Sequence, residues 1–278
     1  MKLFVTGGSG FIGSHFLNAA FKGGYEVVAQ IRPGSTPRIA LLDEPEWAVG
    51  QLNSNFIKKL EECDALVHFA AHTPNQPYDS LEKCLYWNLN VSLSLLDQAY
   101  KAGIKKYLIA GSCFEYGRSG ERYESIPVDA PLEPTMTYPT SKAAASVAFQ
   151  GWAAEKNINM QILRIFQVFG EGEDESRLWP SLHKAAILGE DYAMTNGEQV
   201  RDFIPVEEVA STFISALSFD GVDSGKPIIK NIGTGMPQSV REFSEYWWKK
   251  WKAKGSLKIG KIPYRNKEVM RFVPLIKS

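Results

Sequence analysis

The chain has 278 residues, with 31 Lys+Arg set against 31 Asp+Glu, 22% charged and 44% hydrophobic residues. Zero net charge excludes a polybasic nucleic-acid binder, and the apolar content excludes a disordered chain. Cys63, Cys84 and Cys113 are too few and too scattered for a disulfide framework or a zinc site, and no apolar run approaches the ~20 residues that cross a bilayer.

Leu3–Val5 reads as the first strand, followed by a helix over Gly13–Lys22 and a strand over Tyr25–Ile31. Ala65–Ala70 is the next apolar run, then a helix over Asn88–Ala102 and a strand at Tyr107–Ala110. A helix over Ser141–Lys156, a strand over Met160–Val168, a helix over Val206–Leu217 and a strand over Ile228–Ile232 complete the series. This alternation predicts βαβ units, an α/β class and a parallel sheet covered on both faces. It weakens after about residue 170, where Glu171–Arg177 (EGEDESR) reads as a polar surface loop. Phe243, Trp247 and Trp251 recur at i, i+4, i+8, which predicts a helix packed on the core rather than a membrane-surface helix. With no apolar leader before the first strand, a cytoplasmic protein is expected.

The first strand runs into Thr6-Gly7-Gly8-Ser9-Gly10-Phe11-Ile12-Gly13, with Gly7, Gly10 and Gly13 spaced GxxGxxG ahead of a helix. Glycine permits the tight turn, the approach of backbone to a pyrophosphate, and close helix–strand packing. The free N–H groups and dipole of the helix start favour an anion there. The spacing therefore predicts a Rossmann-type, doubly wound dinucleotide site. An acid after the second strand marks NAD and an Arg marks a 2′-phosphate. Here Val27–Ile31 is followed by Arg32, then Ser35 and Arg38, with no acid, so NADP(H) is favoured over NAD(H).

Tyr138-Pro139-Thr140-Ser141-Lys142 is a YxxxK, which on a helix puts Tyr138 and Lys142 on one face. A neighbouring ammonium stabilises phenolate, so Lys142 is expected to pull the Tyr138 pKa down toward general acid–base use. Ser112 follows the strand Tyr107–Ala110, at the carboxyl end where α/β sheets bind ligands. His15, His68, His72 and His183 show no metal-ligand spacing, so no metal is expected. His68 reads as a core histidine, and His72 as a possible ligand contact.

These motifs resemble the extended short-chain dehydrogenases/reductases, in the NAD-dependent epimerase/dehydratase group acting on nucleotide sugars. The resemblance covers nearly the whole chain. TGGSGFIG at 6–13 matches the cofactor loop, His68-Phe69-Ala70-Ala71 an HLAA-like strand, and Asn88 a helix Asn. Ser112, Tyr138 and Lys142 match the catalytic set; Leu163–Gly170 is similar to LRxFNVYG, with Gln167 for Asn. Gly197–Val206 resembles GxxxRDFxxV, and NIGTG at 231–235, Arg265 and Glu268 resemble later elements.

The resemblance implies that Gly7, Gly10, Phe11, Ile12, Gly13, Arg32, Ala70, Asn88, Tyr138 and Lys142 line the cofactor. It implies that Arg201 and Arg265 reach the diphosphate of a nucleotide sugar, and that Gln167 and Arg177 meet its sugar and nucleotide. The alternation that fades after 170 and returns over Val206–Ile232 divides the chain into 1–170 with 206–232, the NAD(P)-binding Rossmann part, and 171–205 with 233–278, a small part that the resemblance assigns to the nucleotide sugar. The resemblance also implies a homodimer paired through helices, one bearing the YxxxK. Dehydratases of the group carry Asp and Glu where Cys113 and Phe114 stand, so dehydration is not expected. Arg32, and a pattern similar to reductases such as CDP-abequose synthase, favour NAD(P)H-dependent reduction of an NDP-4-keto-6-deoxyhexose. A C4-type nucleotide-sugar epimerase is the alternative, and a non-catalytic NAD(P)-binding module a remote one.

Overall fold

A computed structural model of the protein describes residues 1–265 and 268–276, so parts of the expected 233–278 region lie outside the described residues. The first half builds β1 (Lys2–Thr6), α1 (Phe11–Lys22), β2 (Glu26–Ile31), β3 (Glu46–Val49), α2 (Ile57–Leu60) and β4 (Ala65–His68). It continues with α3 (Leu81–Leu85), a π-helical turn (Tyr86–Val91), α4 (Ser92–Lys101), β5 (Lys106–Ser112) and the 20-residue α5 (Thr137–Lys156). Then follow β6 (Asn159–Ile165), β7 (Gln167–Phe169), α6 (Leu178–Leu188), β8 (Tyr192–Ala193), β9 (Val200–Pro205), α7 (Val206–Ala216) and β10 (Ile228–Ile232). The chain closes with β11 (Pro237–Ser239), α8 (Val240–Lys250), β12 (Leu257–Lys258) and β13 (Arg271–Phe272).

Seven parallel strands pair in the order β3-β2-β1-β4-β5-β6-β10. The pleat sends alternate residues to opposite faces. Leu3 and Val5 pack with Phe16, Leu17 and Phe213 from α1 and α7, and Phe4 packs with Leu95, Leu96 and Phe149 from α4 and α5. The order reverses between β1 and β4, which opens a crevice at their carboxyl ends.

The sequence predicts one strand over Met160–Val168; the structure breaks it. β6 ends at Ile165, and Phe166 turns into a third cluster with Cys113, Tyr116 and Phe272. Released from the main sheet, β7 pairs with β9, which also carries β11 and β13. α8 is held as its periodicity predicts: Phe243 stacks on Phe203 at 3.9 Å, and Trp247 meets Phe169 and Trp179.

The segment Glu171–Arg177 is a loop with Glu171, Glu175 and Ser176 exposed, as expected, but it is tied down at one end. His15 donates to the Glu171 carbonyl oxygen at 2.8 Å, tying the segment to α1, and the Glu173 side chain is 6% exposed. No helix among the described residues is long and apolar enough to cross a membrane.

Candidate active site

The glycine loop lies in the crevice. Gly7 has φ +68°, and a Cβ on it would stand 2.6 Å from the Ala70 backbone nitrogen after β4. That conformation and that approach both require glycine. α1 follows Gly10 as N-cap with no side-chain cap, which leaves its first N–H groups without a side-chain partner. A backbone cradle that a side chain would fill, opening onto an uncapped helix start, fits a dinucleotide pyrophosphate. Phe11, Ile12 and Gly13 form the first turn of that helix. Arg32 is exposed just past β2, at a shallow cavity of about 270 Å³ that Ser35, Trp47 and Val49 also line.

Ser112 ends β5 and Tyr138 and Lys142 open α5; all three are buried and share one place. Ser112 stands near enough to the Tyr138 hydroxyl to favour its phenolate, and Lys142 Nζ donates to the Ala110 carbonyl oxygen at 2.8 Å. The expected lowering of the Tyr138 pKa is not what the structure gives. Burial pushes the phenol above its ordinary value, Glu115, Tyr78 and Cys113 add to this, and the nearby Ser112 hydroxyl opposes it. The Lys142 ammonium is spent on Ala110, and burial lowers its own pKa while Glu115 supports its charge.

Asn88 is drawn into the protein rather than toward a ligand. Its Oδ1 accepts from the His72 backbone at 2.6 Å, and its Nδ2 donates to Ser141 Oγ at 2.9 Å and to the His72 carbonyl at 3.3 Å. It braces the segment after β4 against the start of α5 from a π-helical turn, an element frequent at functional sites. His68 is a core histidine, as expected. It lies between Thr6 Oγ1 and Ser92 Oγ, and burial drops its pKa to about 3, so it stays neutral. His72 pairs with Asp79 at 3.1 Å.

The arginines converge from three segments. Arg177 and Arg201 stand near enough to Cys113 to favour its thiolate, against burial that pushes the thiol up to about 12. Arg201 on β9 donates to Glu268 Oε1 at 3.1 Å and to the Val269 carbonyl at 2.7 Å. Arg265 donates to Gln76 at 3.2 Å. Gln167 opens β7, beyond the end of β6.

The NAD dependent epimerase/dehydratase family model matches residues 3–233. The chain belongs to that family. It is 29% identical to a UDP-glucose 4-epimerase of Corynebacterium glutamicum, over 88% of this chain and 79% of that protein. It is 30% identical to a UDP-glucose 4-epimerase of Lactobacillus helveticus, over 88% of this chain and 80% of that protein. The solved structure of MoeE5 in complex with UDP-glucuronic acid and NAD superposes with a TM-score of 0.83 at 25% identity, covering 100% of this chain and 90% of that one.

Within this epimerase/dehydratase scaffold, three site residues escape the sequence reading. The Tyr78 ring lies 5.4 Å from that of Tyr138, on an irregular segment with no periodicity to mark it. Glu115 is buried behind Ser112, and the Ser-x-x-Glu spacing of 112–115 is a readable capping signal. Glu173 is the third. Its Oε1 accepts from Arg177 Nε at 3.3 Å, while its Oε2 is buried without a partner, and burial raises its pKa to about 7. A carboxyl raised on folding favours the native state below its unfolded pKa, and that contribution is lost as pH rises through 7. Glu173→Gln is therefore expected to raise thermal stability at pH 8, by up to about 3 kcal/mol, and to change little at pH 4. A melting series across that range checks it; equal shifts at both ends would contradict it. Among the described residues no cluster of His, Cys, Asp and Glu has metal-binding form.

Proposed function

We propose that the protein is a nucleotide-sugar 4-epimerase working through a nicotinamide dinucleotide. The convergence of Ser112, Tyr138 and Lys142 beside the glycine loop carries this reading, and relatives named UDP-glucose 4-epimerase support it over the reductase that the sequence favours. Gly7, Gly10, Phe11, Ile12, Gly13 and Ala70 would hold the dinucleotide, with Lys142 on its ribose as the family resemblance implies. When bound, it supplies the hydride acceptor and donor for C4 of the sugar. Tyr138 takes the proton of the C4 hydroxyl and returns it after the ring turns over. Ser112, beside the phenol, would hydrogen-bond that same oxygen. Lys142 stays on the Ala110 carbonyl, which fixes the start of α5 against the end of β5. Arg201 and Arg265, from the small part of the chain, take the nucleotide diphosphate, and Arg177 and Gln167 line the sugar and nucleotide pocket. Cys113, a thiol held protonated, and Phe114 leave no acid–base pair for dehydration.

Arg32 and the missing acid after β2 favour a second reading, an NADP(H)-using 4-keto-sugar reductase. Mass spectrometry of the purified protein separates the two. Stoichiometric NAD that survives dialysis is expected, because an epimerase reduces the sugar that it has just oxidised. A vacant protein that binds NADPH more tightly than NADH would establish the reductase instead. α5 exposes Val147 at 60%, which suits pairing of two copies through this helix, and light scattering is expected to give twice the chain mass.

A further inference from the structure

The strand and helix carrying the reactive side chains are joined behind the site by one buried carboxylate. Glu115 Oε1 accepts from the Ser112 backbone N–H at 2.8 Å. Its Oε2 accepts from Ser146 Oγ at 2.8 Å and from Arg164 Nε at 2.9 Å. These partners lie on β5, α5 and β6, and Ser146 is one turn beyond Lys142 on its own helix. Arg164 is anchored in turn, its Nη1 donating at 3.0 Å to the Tyr116 hydroxyl and to the Val128 carbonyl. Gly111 leaves room for the pair: a Cβ there would stand 3.1 Å from Glu115 Oε1 and 3.0 Å from Arg164 Cγ.

A buried ion pair often contributes no more stability than well-packed apolar residues of the same volume. What apolar residues cannot do is fix the Ser112 backbone and hold a negative charge behind the site. We propose that Glu115, held by Arg164, is a positioning residue: it sets Ser112 against Tyr138 and supplies the fixed negative charge that faces Tyr138 and Lys142. The inference rests on Tyr138 being the acid–base group.

The charges around the carboxylate are Arg164 from β6, Tyr138 and Lys142 from α5, and Cys113 and Tyr116 from its own turn. Arg177 and Arg201 reach this set through Cys113, and neutral His68 lies beside Lys142. Within it, Glu115 opposes the Tyr138 phenolate and upholds the Lys142 ammonium. Removing its charge must therefore move the Tyr138 ionisation to lower pH.

Two variants separate charge from reach. Glu115→Gln keeps the length and loses the charge; Glu115→Asp keeps the charge and shortens the reach. Each protein is titrated in the near ultraviolet with its dinucleotide bound, against the same protein carrying Tyr138→Phe, so that the difference isolates one phenol. In Glu115→Gln the Tyr138 midpoint is expected to fall by about one pH unit or more, about tenfold in the ionisation constant. The acid limb of turnover moves with it. In Glu115→Asp the midpoint stays and turnover falls by about tenfold or more, because Ser112 is released. If Glu115→Gln does not fold, Glu115→Gln with Arg164→Met removes the pair as a neutral unit and is expected to shift the midpoint the same way. An unmoved midpoint with a lower melting temperature would reduce Glu115 to a structural role, and native turnover in Glu115→Asp would remove the geometric half. The titration needs no sugar, so it stands apart from any failure of the epimerase reading.

Discussion

Tyr138→Phe is expected to cut turnover by about 10²- to 10⁴-fold, the range that positioned general acid–base groups supply. The loss should fall on kcat, with cofactor affinity close to native. The change removes one oxygen and leaves the ring against Tyr78, so packing survives. It removes the hydroxyl beside Ser112 that would carry the sugar proton. Lys142 keeps its anchor on the Ala110 carbonyl, which does not involve the phenol. Steady-state rates with a nucleotide sugar, beside a dinucleotide binding titration, give both quantities. Turnover within about threefold of native would end the assignment of Tyr138, since a proton-transfer group cannot be dispensable. A parallel collapse of cofactor binding would point instead to a misfolded start of α5.

Much of the fold is written in local periodicity. The strands β1, β2, β4, β5, β6 and β10 are short apolar runs because both faces of the parallel sheet are covered. β3 escapes because Glu46–Val49 is short and buries little beyond Ala48 at the sheet edge. The break between β6 and β7 escapes for another reason: Gln167–Phe169 continues the apolar run without a turn residue. Phe166 leaves the sheet for the company of Phe272, more than a hundred residues later. Tertiary packing decides that break, and no window of sequence contains it.

The site divides in the same way. Gly7, Gly13, Ser112, Tyr138 and Lys142 carry fixed spacings, and each lies in the crevice or at the end of β5 as the spacing requires. Their electrostatics were not legible. The YxxxK spacing suggests a lowered phenol, yet burial beside Glu115 raises it, and the ammonium four residues on is held by the Ala110 carbonyl. Glu173 sits in a segment of seven residues with four acids, which reads as solvated. Its burial comes from contacts with α1 and the segment after β2, which bring His15 to Glu171 and Arg38 against Gly172. The resemblance points to Asn88, and its hydrogen bonds make it a brace.

The glycine loop yields a second large effect, and it comes with an internal control. A Cβ at Gly13 would lie 2.0 Å from the Gly7 carbonyl oxygen and 2.8 Å from Gly8 Cα, both backbone atoms that no rotamer change can move. Gly13→Ala is therefore expected to push α1 away from the β1 turn, costing about 1–3 kcal/mol of stability. It also misplaces the helix-start N–H groups, each worth about 1.5–3 kcal/mol toward a charged partner, so dinucleotide affinity should fall by about tenfold or more. Gly8, five residues earlier, behaves differently. Its Cβ would meet the Leu17 Cδ1 methyl at 3.2 Å and Ala29 Cβ at 3.5 Å, both on the core side of the turn. Leu17 can give by the few tenths of an ångström required, so Gly8→Ala should cost little stability and leave affinity near native. Calorimetric titration of the dinucleotide into both variants tests the pair. Equal losses would mean that the loop needs glycine for flexibility; a loss confined to Gly13→Ala means that it needs the close contact of α1 with the end of β1.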